Sequence, residues 1–229
     1  TELENLLLMS NIHALREQWD YFTIAMNLEK IIELFITDKG YEPNEIELSE
    51  ESGLARGQIR RCKYLLEMPE RFKKMLLEEL KLPKSQQKLS EDLFIEMERS
   101  IRTVTKRLPD FEDHLENIRD TLVEKYKRGD IGAVTDFRQL SKVATAIENL
   151  GLKTKKAKKA LTRLFSIENN IGIKEIYEET VEFGYVEKKI VLHVSNLQEF
   201  FEEIIEDDRI EDIDQDLMQR LKELRDILD

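Results

Sequence analysis

One cysteine and four prolines in 229 residues leave little to staple this chain and little to break it. A lone thiol can close no internal disulfide and supply no thiolate zinc site, which suits a reducing cytosol; a cytoplasmic location is expected. Cys62 stands beside Arg60, Arg61 and Lys63. Those cations would make an exposed thiol reactive, but a small apolar residue on the buried side of a helix is the simpler expectation. Long apolar runs are also missing. A stretch such as Leu6 to Met9 is far short of the ~20 residues a bilayer requires, so no membrane partner is expected.

Catalytic signatures are absent as well. There is no Gly-x-x-x-x-Gly-Lys loop, no Gly-x-Ser-x-Gly elbow and no His-Glu-x-x-His. His13, His114 and His193 are far apart and share no ligand spacing, so no metal site is expected. Acids such as Glu202, Glu203 and Asp207 are most simply the solvated face of a helix. The chain is therefore read as a non-enzyme holding no cofactor. It carries no signal peptide and opens at Thr1, so it is expected to be part of a longer reading frame.

What the sequence has in quantity is charge. Charged residues make up 37% and apolar residues 41%, with only 8 glycines, a balance that favours helix over sheet. The net charge of −12 is unevenly placed. From Gly53 to Lys88 ten bases face four acids, whereas from Asn196 to Asp229 thirteen acids face four bases. One region could meet phosphates; the other would repel them and could receive a basic protein partner.

Apolar spacing predicts a helix over Glu17–Ile36, then short helices on either side of Gly53, a third after Pro69 and a longer one after Pro83. Pro109 ends that run, and a domain boundary is expected at 108, dividing 1–108 from 109–229. Helices follow at about 111–128, 135–149, 154–165 and 172–182, with Thr135 and Thr154 as N-caps. Tyr185 to Val194, rich in β-branched residues, reads as a strand. A lone strand needs a ladder partner, either a second strand near Ile171–Ile173 or a second copy of the chain. An acidic helix then begins at Ser195 or Asn196, and a last one covers Ile213–Leu228. The expected class is mainly α: a helix-turn-helix domain, then a helical C-terminal domain with one or two short strands.

The segment Glu45–Tyr64 carries the functional expectation. Two helices that cross tightly need a glycine turn, a small residue at the crossing and apolar anchors. Gly53, Ser49, and Leu48, Leu54, Ile59 and Cys62 meet those needs in turn. Arg56, Gln58, Arg60 and Arg61 then face outward near the start of the second helix. Arginine can read guanine and glutamine can read adenine, so Arg56, Gln58 and Arg61 are the expected base contacts. Arg60, Lys63, Lys73 and Lys74 are the expected phosphate contacts. The acids Glu45, Glu47, Glu50 and Glu51 would have to point away from the duplex. Ala55, at the expected N-cap, offers no side-chain oxygen.

The stretch NEIELSEESGLARGQIRRCKYLLEMPERFKKMLLEELKLP resembles the central region of ParB partition proteins. Leu65, Leu66 and Pro69 match the family's exit from the recognition helix, and Leu82 matches the close of the next. Upstream, SNIHALREQWDYFTIAMNL is similar to the junction with the family's nucleotide-binding domain, which places Asn11 and Arg16 at nucleotide-contacting positions. The resemblance, covering about Leu6 to Arg107, implies a protein that binds double-stranded DNA in partition or transcriptional control. It also implies a nucleotide-binding domain upstream. The rival expectations are a protein-interaction scaffold with an acidic C-terminal half and a fragment of a ParB-like nuclease. Two further features stay open: Lys153–Phe165 is a second phosphate-contacting helix, a solvated lysine face, or a segment that docks against the acidic tail of its own chain or of a partner, and residues 180–229 are either a homodimerisation unit or hold their strand by intrachain pairing.

Overall fold

The computed structural model describes residues 20–228 and, before them, Asn5 alone. Asn11, His13 and Arg16, and the expected helix start at Glu17, lie outside the described residues. The fold is mainly α, and no strand occurs among the described residues.

Local chemistry sets the first helices. Helix α1 (Tyr21–Lys39) opens at Asp20, whose carboxylate accepts the Thr23 amide at 2.7 Å, and closes at Gly40 with φ 81°. Helix α2 (Glu45–Ser52) has a complete capping box. Asn44 accepts from the Ile46 and Glu47 amides, and Glu47 accepts from the Asn44 amide at 2.8 Å. Gly53, at φ 70°, turns the chain into α3 (Arg56–Leu66). Pro69 precedes α4 (Glu70–Leu80), and Ser90 caps α5 (Glu91–Arg107).

α5 is the axis of the molecule's larger unit. It packs on α3 and on α7 (Asp136–Asn149), while α1 and α2 cover α3. Leu93, Phe94, Ile95, Met97, Ile101 and Val104 are all buried, so α5 turns most of its circumference inward rather than a single stripe. Among its buried polar groups, Ser100 Oγ donates to the Phe137 carbonyl at 2.6 Å. A 3₁₀ turn (Pro109–His114) leads to α6 (Leu115–Arg128), which ends at Gly129. Beyond α7 come α8 (Thr154–Leu164) and the short α9 (Ile173–Tyr177). Thr135 precedes α7 but makes no side-chain capping bond, and Lys153 rather than Thr154 is the N-cap of α8.

Helices on both sides of residue 108 share this core, because α5 and α7 bury against each other across it. The chain instead divides into a compact unit ending at Val181 and a second from Glu182.

The second unit corrects the expected strand. Tyr185–Val194 lies within one long helix, α10 (Phe183–Glu206), which also absorbs the acidic helix expected from Ser195. The β-branched run misled because Val186, Ile190 and Val194 also recur at four-residue steps, one face of a helix. No proline interrupts it, and Gly184 sits in its first turn. Near Ile171 there is no strand either; Ile173 begins α9. After a 3₁₀ turn (Ile210–Asp212), α11 (Gln215–Leu228) completes the unit, in which neither helix buries a residue fully. No helix among the described residues is long and apolar enough to cross a membrane.

Candidate nucleic-acid interface

The α2–Gly53–α3 pair is held from below by apolar residues and across the turn by hydroxyls. Leu48, Leu54, Ile59, Cys62 and Leu65 are buried to 2% exposure or less. Ser49 Oγ donates to the Leu54 carbonyl at 2.7 Å, and Ser52 Oγ donates to the Leu48 carbonyl at 2.5 Å. The Ser49 bond crosses the turn and answers the Leu54 carbonyl, while the Ser52 bond stays within α2. Cys62 is buried, and that burial pushes its thiol up to about 12. It is a core residue, as expected, rather than a reactive one.

Ala55 does lack a capping side chain, and only the reciprocal bond, from its own amide to Gln58, is made. Gln58 Oε1 accepts the Ala55 amide at 2.9 Å. The side-chain carbonyl expected to read a base therefore supports the start of α3 in the free protein.

The basic side chains of α3 divide into two kinds. Arg56 and Arg60 are more than half exposed and share one carboxylate: Glu45 lies 2.8 Å from Arg60 Nε and 3.9 Å from Arg56 Nη2. Glu45 therefore does not point away; it faces α3. Glu47 is turned aside, accepting from Tyr41 and from its own helix start. Arg61 is different. It pairs with Asp92 of α5 and its guanidinium lies 4.5 Å from the centre of the Tyr21 ring. That geometry makes Arg61 a tie between α1, α3 and α5.

Lys63 is half-buried and Lys74 exposed, and neither has an ion-pair partner among the described residues. Lys73 is only 13% exposed and pairs with Glu70 at 3.1 Å. A residue missed at the sequence level, Lys30 of α1, joins Lys73 and Lys74 around a cleft of about 480 Å³ between α1 and α4. Its signal was weak, one lysine on an amphipathic helix. Asp92 and Tyr21 were likewise invisible as partners of Arg61, being 31 and 40 positions away in sequence.

The described residues contain no cluster of His, Cys, Asp or Glu able to hold a metal. His193, Glu202, Glu203 and Asp207 are exposed on or beside α10. No protein-family model, curated protein or solved structure matches the chain.

Proposed function

We propose that the chain is a DNA-binding protein of ParB-like type whose helix-turn-helix is α2–Gly53–α3. The observation that carries this reading is the left-handed Gly53 corner, which joins two short helices whose inner side is apolar and whose outer side carries Arg56, Arg60 and Lys63. A recognition helix must protrude from a rigid support, and α1 and α5 supply it.

The Glu45 pairs do not disqualify Arg56 and Arg60. Exposed pairs of this kind are worth only about 0–1 kcal/mol, so a phosphate or a guanine edge can displace the carboxylate. Arg56 and Gln58 are assigned to base edges, and Arg60, Lys63, Lys73 and Lys74 to phosphates. Arg61 is assigned here to holding α3 in place. The intact protein would carry its nucleotide-binding domain upstream, and partition or transcriptional control is the expected setting.

The test is a titration of random-sequence duplex at two salt concentrations, with the parent and with Arg56→Glu, Arg60→Glu. The parent should bind and weaken steeply with salt, and the double variant should lose binding while its circular dichroism stays unchanged. Equal binding by the two proteins would remove α3 from the interface.

A second reading, that residues 183–228 bind a second copy, is favoured by exposed apolar groups on α10. Ile190, Val191 and Leu192 are each more than half exposed. An antiparallel α10 pair centred near Ser195 would set Lys188 and Lys189 opposite Glu202 and Glu203, so the helix is self-complementary in charge. Light scattering should then report a dimer, and Ile190→Asp with Val194→Asp should give a monomer. A dimer that survives both changes rules this pairing out.

A further inference from the structure

The three arginines of α3 are paired with carboxylates, whereas α8 carries a cluster of exposed lysines that are not. Lys153, Lys155, Lys156 and Lys159 are all exposed, and none has an ion-pair partner among the described residues. The two remaining bases of this stretch are engaged at its sides, Lys158 by Asp110 and Arg163 by Glu179 at 2.8 Å. No acid occurs from Lys153 to Leu164.

This placement works against the helix itself. Cations in a first turn oppose the helix dipole, and no side-chain oxygen caps α8. Stability of the free helix does not explain three lysines at its start. A ligand of opposite charge does.

We infer that α8 is a second contact surface for double-stranded nucleic acid, gripping phosphates without reading sequence. Three features select this partner. The apolar side of α8 (Ala157, Ala160, Leu161, Leu164) is already buried to 5% exposure or less, so the helix has nothing to insert into a bilayer. It carries no aromatic residue on which an unpaired base could stack, which disfavours single strands. Its free cations are lysines, point charges that suit phosphates, rather than the planar guanidinium that reads guanine. The helix is also remote from α3, since α5 and α7 intervene in the packing order. Its contribution is therefore separable from that of α3 and independent of it.

The test is the full chain with Lys155→Ala, Lys156→Ala and Lys159→Ala. Alanine has the higher helix propensity, so α8 should persist, and circular dichroism checks this. Affinity for a fluorescent random-sequence duplex is measured across a salt series. Each phosphate contact adds about 0.9 to the slope of log affinity against log salt, so the triple variant's slope should fall by about 2.7. A fall of less than about one such contact overturns the inference. If Arg56→Glu, Arg60→Glu abolishes binding while the triple variant keeps the parent slope, α3 stands and α8 falls. If the triple variant loses binding while the α3 variant keeps it, α8 stands and α3 falls. Vesicles containing phosphatidylserine are the control. Capture of the parent but not of the triple variant would make α8 a membrane surface and overturn the inference.

Discussion

Arg119 clamps Glu98 through two parallel hydrogen bonds, Nε to Oε1 at 2.6 Å and Nη2 to Oε2 at 3.0 Å. The pair joins α6 to α5 and is largely dry, with the Glu98 side chain only 3% exposed. Burial pulls the Arg119 pKa down, but the hydrogen bonds and charges of Glu98 and Glu116 outweigh it and hold it above the usual arginine value. Arg71 of α4 extends the network to Glu116 and Asp120, at 2.8 and 2.9 Å.

Removing Glu98 takes away the buried partner of Arg119 and leaves it only the exposed Glu116. Glu98→Ala should therefore destabilise the chain by about 3–5 kcal/mol in urea unfolding. The double change Glu98→Leu, Arg119→Met should recover most of that loss, because it removes both charges. A double variant no more stable than the single would show that the clamp is not what holds α6 on α5.

Glu45 sets a second expectation. It sits between Arg56 and Arg60 on the face assigned to the duplex. Glu45→Gln removes both the competing carboxylate and one charge that repels phosphate. Affinity for duplex DNA should rise by up to about fivefold, the scale of an exposed ion pair. Unchanged or weaker binding in anisotropy titrations would place the duplex elsewhere.

Cys62 makes the fold sensitive to alkali. Its thiol ionises in the unfolded chain near the ordinary cysteine value, but burial raises it to about 12 in the fold. Between those limits the unfolded state loses its proton first, so stability should fall as pH rises from about 9 toward 12. Cys62→Ala should flatten that decline in denaturant titrations. At neutral pH a thiol reagent should label Cys62 only as fast as the fold opens.

Lys125 acts in the opposite sense. Its ammonium is fully buried and donates to the Ile171 carbonyl at 2.8 Å; burial lowers its pKa. Where the folded pKa lies below the unfolded one, the unfolded chain holds the extra proton, so this group adds stability as pH rises through that interval. Relative to Lys125→Met, the parent should gain stability as the solution approaches the ordinary lysine value. Parallel unfolding curves for the two proteins at pH 7 and pH 10 would remove Lys125 from the pH response.

Gly172 offers a steric test. A Cβ at this position would overlap the Asp130 carbonyl oxygen, a backbone atom that cannot step aside. Gly172→Ala should lower stability by about 1–3 kcal/mol, the cost of forcing bulk into a filled site. A thermal midpoint equal to the parent's would mean that the loop relaxes freely.

Most helices were legible from spacing and punctuation alone. Gly53, Pro69 and Pro109 supply the punctuation and apolar residues recur at helical steps, whereas the caps were not legible: Asp20, Asn44 and Ser90 cap helices, and Thr135 and Thr154 do not. Those signals act over a few residues, which is the range at which a sequence can be read directly. Val186–Val194 misled because β-branched residues suit a strand and also fit one helical face, and a run that short does not decide between them.

The residue types of α3 and its glycine corner were written in the chain; the partners of its arginines were not. Glu45 reaches Arg60 from 15 positions away and Asp92 reaches Arg61 from 31, through helices whose packing brings them together. Whether a cation is answered or free depends on which carboxylates the fold delivers to it. Sequence alone therefore treated α3 and α8 as alike in charge, and packing brought carboxylates to Arg56, Arg60 and Arg61 of α3 but to none of Lys155, Lys156 and Lys159 of α8 among the described residues, because Coulomb attraction depends on distance in space and not along the chain.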